Sequence, residues 1–173
     1  TRLHGEQNRV WTSIDEIPES LQNAYIALED KRFEKHDGVD WIRTFKAVIT
    51  FGKAGGGSTL TQQLIKNLTG ENGKTVSRKF YEILNALNLE KHASKATILE
   101  AYMNTVYMSH GCYGVKTTAE KYFGKDLSEL NIAECASIAA ITQNPSTNDP
   151  LLHPETNRKR QLTCLKNMLK EGY

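Results

Sequence analysis

The sequence predicts a mainly helical protein. Apolar residues recur every three or four positions in several segments, whereas the alternation that is typical of strands is almost absent. The helical segments are bounded by capping pairs at their starts and by glycine or proline at their ends. At 173 residues the chain is long enough for a sizeable core. We expect one domain over residues 1–173.

Composition excludes several classes of protein. The net charge is only +2, which does not indicate nucleic-acid binding. No apolar run approaches the roughly 20 residues that a membrane-spanning helix needs, and no leader is visible at Thr1, so we expect an excised soluble piece. The three cysteines match neither a disulfide framework nor a zinc site, and Cys135 and Cys164 are predicted to be small core residues.

The first predicted helix follows Pro18, a residue that suits a first helical turn. Its buried stripe comprises Leu21, Ala24, Tyr25 and Leu28. Glu29 lies one position past this stripe, where a carboxylate can be partly desolvated without being sealed off. Together with Asp30 it is expected near the end of the helix, which is predicted to stop at His36–Gly38. Glu29 is therefore a candidate general base, and the alternative is a solvated, charge-paired helix end.

The second predicted helix carries a stripe of large apolar residues, for which two interpretations are open. Trp41, Phe45 and Ile49 repeat every four residues, with Arg43 and Lys46 close by. Large apolar groups flanked by cations are typical of a helix that rests on a bilayer surface. The alternative is an ordinary helix that packs Trp41 and Phe45 into the core. The glycines of Lys53–Gly57 then predict a mobile loop or a close backbone approach to a ligand.

The third helix is predicted to begin at Ser58 and Thr59. Thr59 and Gln62 have the spacing of a capping box. A glycine-rich loop that leads into a helix N-terminus, with Lys66 one turn later, suits a phosphate or pyrophosphate. The alternative is a capped helix with a polar face. The predicted buried edge of this helix comprises Leu60, Leu64 and Leu68.

The fourth helix is predicted over Val76–Lys91, with a core face of Phe80, Ile83, Leu84 and Leu87. The opposite side carries Arg78, Lys79 and Glu82. These residues could hold phosphates directly or with a divalent ion on Glu82. A solvated, salt-bridged face is the alternative.

Four further helices complete the prediction, and one of them is a short helix that ends at Tyr122-Phe-Gly124. Ser94 starts one that buries Ile98 and Tyr102 and places Asn104 on its polar side. Asn131 and Glu134 form a capping box for a helix of small residues that must pack closely. The last helix runs from about Pro154 to Lys170, with a predicted buried face of Leu162, Leu165, Met168 and Leu169.

Four of these segments together resemble the peptidoglycan glycosyltransferase domain of class A penicillin-binding proteins and monofunctional transglycosylases. The resemblance spans nearly the whole chain. Each motif alone is weak, but their order and spacing are specific. They are Glu29-Asp-Lys-Arg-Phe33 with His36 and Gly38; Gly57-Ser-Thr-Leu-Thr-Gln-Gln63 with Lys66-Asn67; Arg78-Lys79 with Glu82, Ala86 and Leu89-Glu90; and Ile98-Leu-Glu100 with Tyr102 and Asn104.

The resemblance implies a lysozyme-like helical fold with a large lobe and a small membrane-facing jaw lobe, at about residues 39–57, around a cleft. It implies an enzyme that polymerises lipid II into β-1,4 glycan strands, with inversion at the anomeric carbon and release of undecaprenyl pyrophosphate. The implied location is the outer face of the bacterial cytoplasmic membrane, with an anchor that is missing from this sequence. The implied partners are lipid II, the growing glycan strand, the membrane surface, a transpeptidase domain and cell-wall synthesis proteins, and no nucleic acid is expected.

The resemblance also implies residue roles. Glu29 would be the general base and Glu82 would assist on the donor side, through a divalent cation (Mg²⁺ or Mn²⁺) or the phosphates; no organic cofactor is implied. Lys66, Arg78 and Lys79 would hold the pyrophosphate. The remaining implied binding residues are Ser58, Thr59, Gln62, Gln63, Asp30, His36 and Asn104. Two other functions remain open, namely a non-catalytic module that binds lipid II or a partner, and a lysozyme-like enzyme that cuts glycan.

The chain departs from the family pattern at four positions. Ser109 and His110 stand where glycine and arginine are usual, Thr142 stands in place of a proline, and Asn148 in place of a tyrosine. These departures leave the implied base and phosphate ligands unchanged. They bear instead on loop conformation, substrate preference and processivity.

Overall fold

A computed structural model describes residues 8–50, 56–70, 73 and 75–173. It is mainly helical, which confirms the predicted fold class. Residues group into two compact units: unit 1 comprises the chain up to Lys31 and Met103–Tyr173, and unit 2 comprises Arg32–Tyr102. The single domain and the lobes implied by the resemblance stay predictions.

Helices dominate both units. In the described residues they are α1 Glu19–Glu29, α2 Trp41–Ile49, α3 Leu60–Thr69, α4 Val76–Glu90, α5 Lys95–Thr105, α6 Val115–Phe123, α7 Ile132–Ile141 and α8 Pro154–Glu171. Short 3-10 helices lie at Ile14–Glu16, Phe33–Lys35 and Leu127–Glu129. Two-residue strands, β1 Asn8–Arg9 and β2 Cys112–Tyr113, pair in parallel. No described helix is both long and apolar enough to cross a bilayer.

Unit 1 is built around α7, which packs against α1 and α8. The predicted capping box starts α7, because Asn131 Oδ1 accepts the Glu134 N–H at 2.9 Å and Glu134 accepts the Asn131 N–H at 2.9 Å. From residue 135 to residue 141 α7 is buried and rich in small residues, so neighbouring helices can approach its backbone closely. Cys135 is buried in it, as predicted, and Cys164 is buried in α8.

A buried carboxylate ties two loops of unit 1 together. Asp149 accepts hydrogen bonds from the backbone N–H of Leu151 and Leu152, at 2.9 and 3.1 Å, and from the Tyr122 hydroxyl at 2.9 Å. His110, at a positive φ of 49°, approaches the same carboxylate at 2.8 Å. Burial raises the pKa of Asp149, but these hydrogen bonds and His110 outweigh burial and hold that pKa below its ordinary value.

In unit 2, α3 packs against α4, and Gly38 in the segment before α2 contacts both α4 and the N-cap of α3. Gly38, at a φ of +89°, leaves no room for a side chain: an added Cβ would lie 2.6 Å from the carbonyl oxygen of Ala86. The Thr59 hydroxyl donates to the Gly38 carbonyl at 2.6 Å. Lys95 donates to the His36 carbonyl, also at 2.6 Å, and lies over the ring of the buried Phe33.

The predicted core face of α4 is wrong at two of its four residues, because Ile83 and Leu87 are partly buried but Phe80 and Leu84 are not. Phe80 and Leu84 are 58% and 45% exposed, whereas Glu82 and Ala86, on the side predicted to be polar, are buried. Glu82 can be buried because its charge is paired with two cations, which offset the loss of hydration of the carboxylate. The small Ala86 allows the close approach of Gly38. Close backbone packing and ion pairing therefore decide which side of α4 faces inward.

Three further burial predictions are wrong. Leu68, Leu162 and Leu169 are exposed. In α8 the buried positions are Asn157, Cys164 and Met168. Asn157 hydrogen-bonds to α7 and the small Cys164 to α1, so these contacts decide which side of α8 faces inward. Asn157, for example, donates to the carbonyl groups of Ser137 and Asn148 at 3.1 and 2.8 Å.

The first two helices also differ from expectation. Helix α1 ends at Glu29 rather than at His36–Gly38, because Asp30 leaves helical geometry (φ −153°, ψ 73°). On α2, Trp41 and Phe45 are exposed, so the alternative that they pack into the core is wrong. The predicted loop Lys53–Gly57 lies largely outside the described residues.

We expect Gly38→Ala to lower the free energy of unfolding by about 3 kcal/mol, from the left-handed backbone and the clash with the Ala86 carbonyl. Gly70→Ala is the matched control, because Gly70 has a φ of +68° but open space around its Cα; we expect it to cost about 1 kcal/mol. Urea unfolding at neutral pH measures both. Equal losses in the two variants would contradict the close approach.

Candidate functional site

The candidate base Glu29 is held in unit 1 by two donors. It is the last residue of α1, and its side chain is 9% exposed. Arg160 of α8 donates from Nη2 to Glu29 Oε1 at 2.6 Å, and the Thr142 hydroxyl lies 3.2 Å from the same oxygen. Glu29 is therefore a mostly buried carboxylate with a direct charged partner.

The local sequence explains why this pair is needed. A carboxylate at a helix C-terminus faces the negative end of the helix dipole, and burial adds a further cost to its charge. Arg160 offsets both unfavourable effects through one charge-assisted hydrogen bond to Glu29. It is one helical turn before Cys164, which faces Ala24 of α1, so the contact between α1 and α8 places the guanidinium beside Glu29.

Two other titratable groups lie near Glu29 and neither competes with it as a base. Burial, and then the charge of Glu29, raise the pKa of Tyr25 well above its ordinary value. Burial raises the pKa of the Cys164 thiol to about 12, with Arg160 opposing and Glu29 reinforcing the shift. Both groups stay protonated at neutral pH, which leaves Glu29 as the candidate base among these three residues.

Two predicted binding residues of unit 1 are deeply buried. Asp30, which follows α1, is fully buried. Asn104 is also fully buried, and its side-chain amide exchanges two hydrogen bonds of 2.8 Å with the backbone N–H and carbonyl of Thr12. This geometry makes Asn104 a tether for the segment after β1. Its predicted role in substrate binding stays a prediction, as does that of Asp30.

In unit 2 a single carboxylate organises the start of α4. Arg78 Nη1 donates to Glu82 Oε2 at 2.7 Å, and Lys79 donates to Glu82 Oε1. Lys79 also donates to the Ser58 hydroxyl at 2.7 Å, which links α4 to the segment that leads into α3. The structure thus brings together four of the predicted site residues.

Lys66 adds a third cation to this face. Its exposed side chain lines a groove between α3 and α4 with Arg78, Glu82, Tyr81 and other residues. Lys66, Arg78 and Lys79 are called the cationic cluster below. With one carboxylate among three cations, the cluster has a net positive charge and could neutralise an anionic group.

The other predicted residues of unit 2 support the helix start. Thr59 and Gln62 form the predicted capping box: Thr59 Oγ1 accepts the Gln62 N–H at 3.2 Å, and Gln62 Oε1 accepts the Thr59 N–H at 3.0 Å. Both residues are fully buried. Gln63 accepts a hydrogen bond of 3.0 Å from the Tyr102 hydroxyl, and His36 is buried beside Phe33. Ligand contacts of these residues stay predictions.

The protein residues around Glu82 do not fit a protein-held divalent ion. Both Glu82 oxygens are engaged by cationic side chains. Within the described residues, no three His, Cys, Asp or Glu side chains are grouped so that they could hold a metal ion. A divalent ion would need ligands from the substrate as well.

Sequence reasoning missed the two residues that contact the Glu29 carboxylate. Arg160 was not singled out, and Thr142 was noted only as a departure from the family pattern. The available signal was the spacing of Asn157, Cys164 and Met168, which defines an inward face of α8 that carries no leucine. Such a face can accommodate a partly buried cation such as Arg160.

A double-mutant cycle tests the ion pair. We expect Arg160→Met to lower the free energy of unfolding by about 3 kcal/mol at pH 7, because it leaves the Glu29 charge buried without its cation. In the background of Glu29→Gln, we expect the same change to cost much less, which gives a coupling of about 2 kcal/mol by urea unfolding. Additive losses would show that the two side chains are not paired in solution.

Comparison with known proteins places the chain in a family. A family model described as "Transglycosylase" matches residues 1–169. The chain is 44% identical over 171 residues to Penicillin-binding protein 1F of Bacillus subtilis (strain 168), covering 96% of the chain and 24% of that protein. It is 43% identical over 179 residues to Penicillin-binding protein 1A of Aquifex aeolicus (strain VF5), covering 99% of the chain and 25% of that protein.

A solved structure shows the same fold. The crystal structure of Penicillin-Binding Protein 1A from Haemophilus influenzae superimposes with a TM-score of 0.56 at 23% identity, over 98% of this chain and 16% of that chain. The chain spans about a quarter of the length of the curated relatives it matches. With a family model that covers nearly all of its residues, the chain belongs to the transglycosylase family.

Proposed function

We propose that the chain is a peptidoglycan glycosyltransferase that polymerises lipid II into β-1,4 glycan strands. Family membership supports a glycosyltransferase. The observation that carries the proposal is the division of charge between the units. Unit 1 holds one buried carboxylate, Glu29, against Arg160, and unit 2 holds the cationic cluster around Glu82.

The proposed reaction needs a base on the acceptor. The 4-hydroxyl of the acceptor sugar is a poor nucleophile, so Glu29 takes its proton as the oxygen attacks the anomeric carbon of the growing strand. The new C–O bond forms as the bond to the pyrophosphate breaks, with inversion from α to β. Arg160 keeps Glu29 ionised at the start of each cycle, because its guanidinium stays charged.

The leaving group needs positive charge instead of an acid. Pyrophosphate departs readily if the charge that develops on it is neutralised. In this proposal Lys66, Arg78 and Lys79 contact the pyrophosphate oxygens. Ser58 contributes indirectly, because its hydroxyl accepts a hydrogen bond from Lys79. Glu82 holds Arg78 and Lys79 in place before the substrate binds. A hydrolytic glycosidase would instead need two carboxylates about the scissile bond and no such cluster.

A divalent cation enters this proposal only as a companion of the substrate. Mg²⁺ prefers phosphate oxygens together with one or two carboxylates, so Glu82 could contribute one ligand if it released a cation. The steps proposed for Glu29 and the cationic cluster do not depend on that ion. Comparing assays with EDTA and with Mg²⁺ or Mn²⁺ measures its contribution separately.

The membrane is proposed as a second partner, through α2. Trp41, Ile42 and Phe45 are 58%, 64% and 68% exposed on a helix that also carries Arg43 and Lys46. Such a helix suits the interface of an anionic bilayer. We place the domain on the outer face of the bacterial cytoplasmic membrane, where a lipid-linked precursor would be used. A transpeptidase domain and other cell-wall synthesis proteins are its proposed partners.

The base assignment predicts the effect of Glu29→Gln. Incubated with lipid II in detergent with Mg²⁺, the unaltered chain should form polymer that a muramidase digests. Glu29→Gln should reduce the rate about 10²- to 10⁴-fold, the usual contribution of a general base. Glu19→Gln, an exposed change at the other end of α1, is the matched control and should leave the rate unchanged.

The same assay separates the alternative functions. Release of fragments from finished peptidoglycan, without polymer from lipid II, would replace the proposal with a glycan-cleaving enzyme. Saturable binding of lipid II without any turnover would replace it with a binding module. Polymer formation at an unchanged rate by Glu29→Gln would keep the reaction but reject Glu29 as its base.

The membrane proposal predicts a loss of vesicle binding. We expect the double change Trp41→Gln and Phe45→Gln to weaken binding to phosphatidylglycerol-containing vesicles about tenfold or more, because two large apolar side chains no longer enter the interface. Sedimentation with vesicles measures it. Leu169→Gln, at an 80% exposed site on α8, is the control, and an equal loss there would contradict a specific role of α2.

A further inference from the structure

The Thr142 hydroxyl lies between two acceptors. It is 3.2 Å from Glu29 Oε1 and 2.9 Å from the carbonyl oxygen of Ala139. Thr142 directly follows α7, and Ala139 is in the last turn of that helix. The Ala139 carbonyl accepts a long hydrogen bond of 3.4 Å from the Thr142 N–H, and its second lone pair can accept from the hydroxyl. Both acceptors therefore benefit from a donor at this position.

A hydroxyl has one proton and can donate to only one of these oxygens at a time. The choice depends on the charge of Glu29. An ionised carboxylate is the stronger acceptor, because a hydrogen bond to a charged group is stronger than one to a neutral carbonyl. Once Glu29 carries a proton, that advantage is lost and the nearer Ala139 carbonyl becomes the better acceptor.

Arg160 cannot make this adjustment. Its guanidinium is always protonated and has only donors, so it stabilises the anionic form of Glu29 throughout. Thr142 is the contact on the same oxygen that can be withdrawn by rotation about a single bond. The same oxygen of Glu29 therefore has a fixed charge partner, Arg160, and a hydrogen bond from Thr142 that can be made or broken.

We propose that Thr142 is a positioning residue that adjusts the basicity of Glu29: its hydroxyl donates to the ionised carboxylate and turns to the Ala139 carbonyl when Glu29 takes up a proton. The inference rests on the proposed function, in which Glu29 is the base. In the reaction the acceptor O–H bond breaks, the proton moves to Glu29, and the Thr142 proton stays on its own oxygen throughout.

The test compares Thr142→Val, which removes the hydroxyl at nearly constant volume, with Thr142→Ser, which keeps it. The first measurement needs no substrate: the carboxyl carbon of Glu29 is followed by NMR during a pH titration of 13C-labelled chain and assigned by its absence in Glu29→Gln. The second is the pH profile of polymer formation from lipid II. Thr163→Val is the control, because that hydroxyl donates to the Lys159 carbonyl on α8.

Loss of a donor to the charged form favours the protonated form, so we expect the Thr142→Val titration to move to higher pH by about half to one unit. The acidic limb of the activity profile should move with it, and the plateau should fall by no more than about threefold. Thr142→Ser and Thr163→Val should titrate like the unaltered chain. A purely structural role would lower the plateau without moving the titration.

Three results would overturn the proposal: an unmoved titration in Thr142→Val, a titration of Thr142→Ser that moves as far as that of Thr142→Val, or an equal shift in Thr163→Val. If Thr142→Val does not fold, Thr142→Ala carries the same comparison. Failure of the proposed function is distinguished by Glu29→Gln, because activity retained in that variant rejects the base whatever the titration shows.

Discussion

The ion pair between Arg160 and Glu29 is the interaction on which unit 1 depends. It joins the end of α1 to the middle of α8, both of which pack on the buried α7. A carboxylate at this position would be unfavourable without it, because burial and the helix dipole both oppose the charge. The charge of Glu29 is therefore destabilised at the position where the proposed chemistry needs a base, and a cation from another helix offsets that destabilisation.

In unit 2 the charges are reversed, with one carboxylate among several cations. There the carboxylate is the minority charge, and Glu82 gathers cations that would otherwise repel one another at the start of α4. Its burial turns the apolar residues of that helix outward, so Phe80 and Leu84 are exposed. The two units thus use the same kind of ion pair to prepare opposite local charges.

The sequence was sufficient to predict the helical class, the capping boxes at Thr59 and Asn131, and the grouping of Arg78, Lys79 and Glu82. These features depend on local spacing, which a single chain displays directly. The inward faces of α4 and α8 could not be predicted in this way. They are set by contacts with residues far along the chain, such as Gly38 against Ala86, where close backbone packing outweighs the burial of leucine or phenylalanine.

The contact of Gly38 also limits how the sequence could change over time. The atoms that a side chain at position 38 would meet first belong to the backbone of Ala86, not to its methyl group. No smaller residue at position 86 could make room, so a substitution at Gly38 has no simple compensating partner there. Two positions that contact each other through side chains can be substituted together during evolution. Positions 38 and 86 can change in this way only if the backbone of α4 also moves.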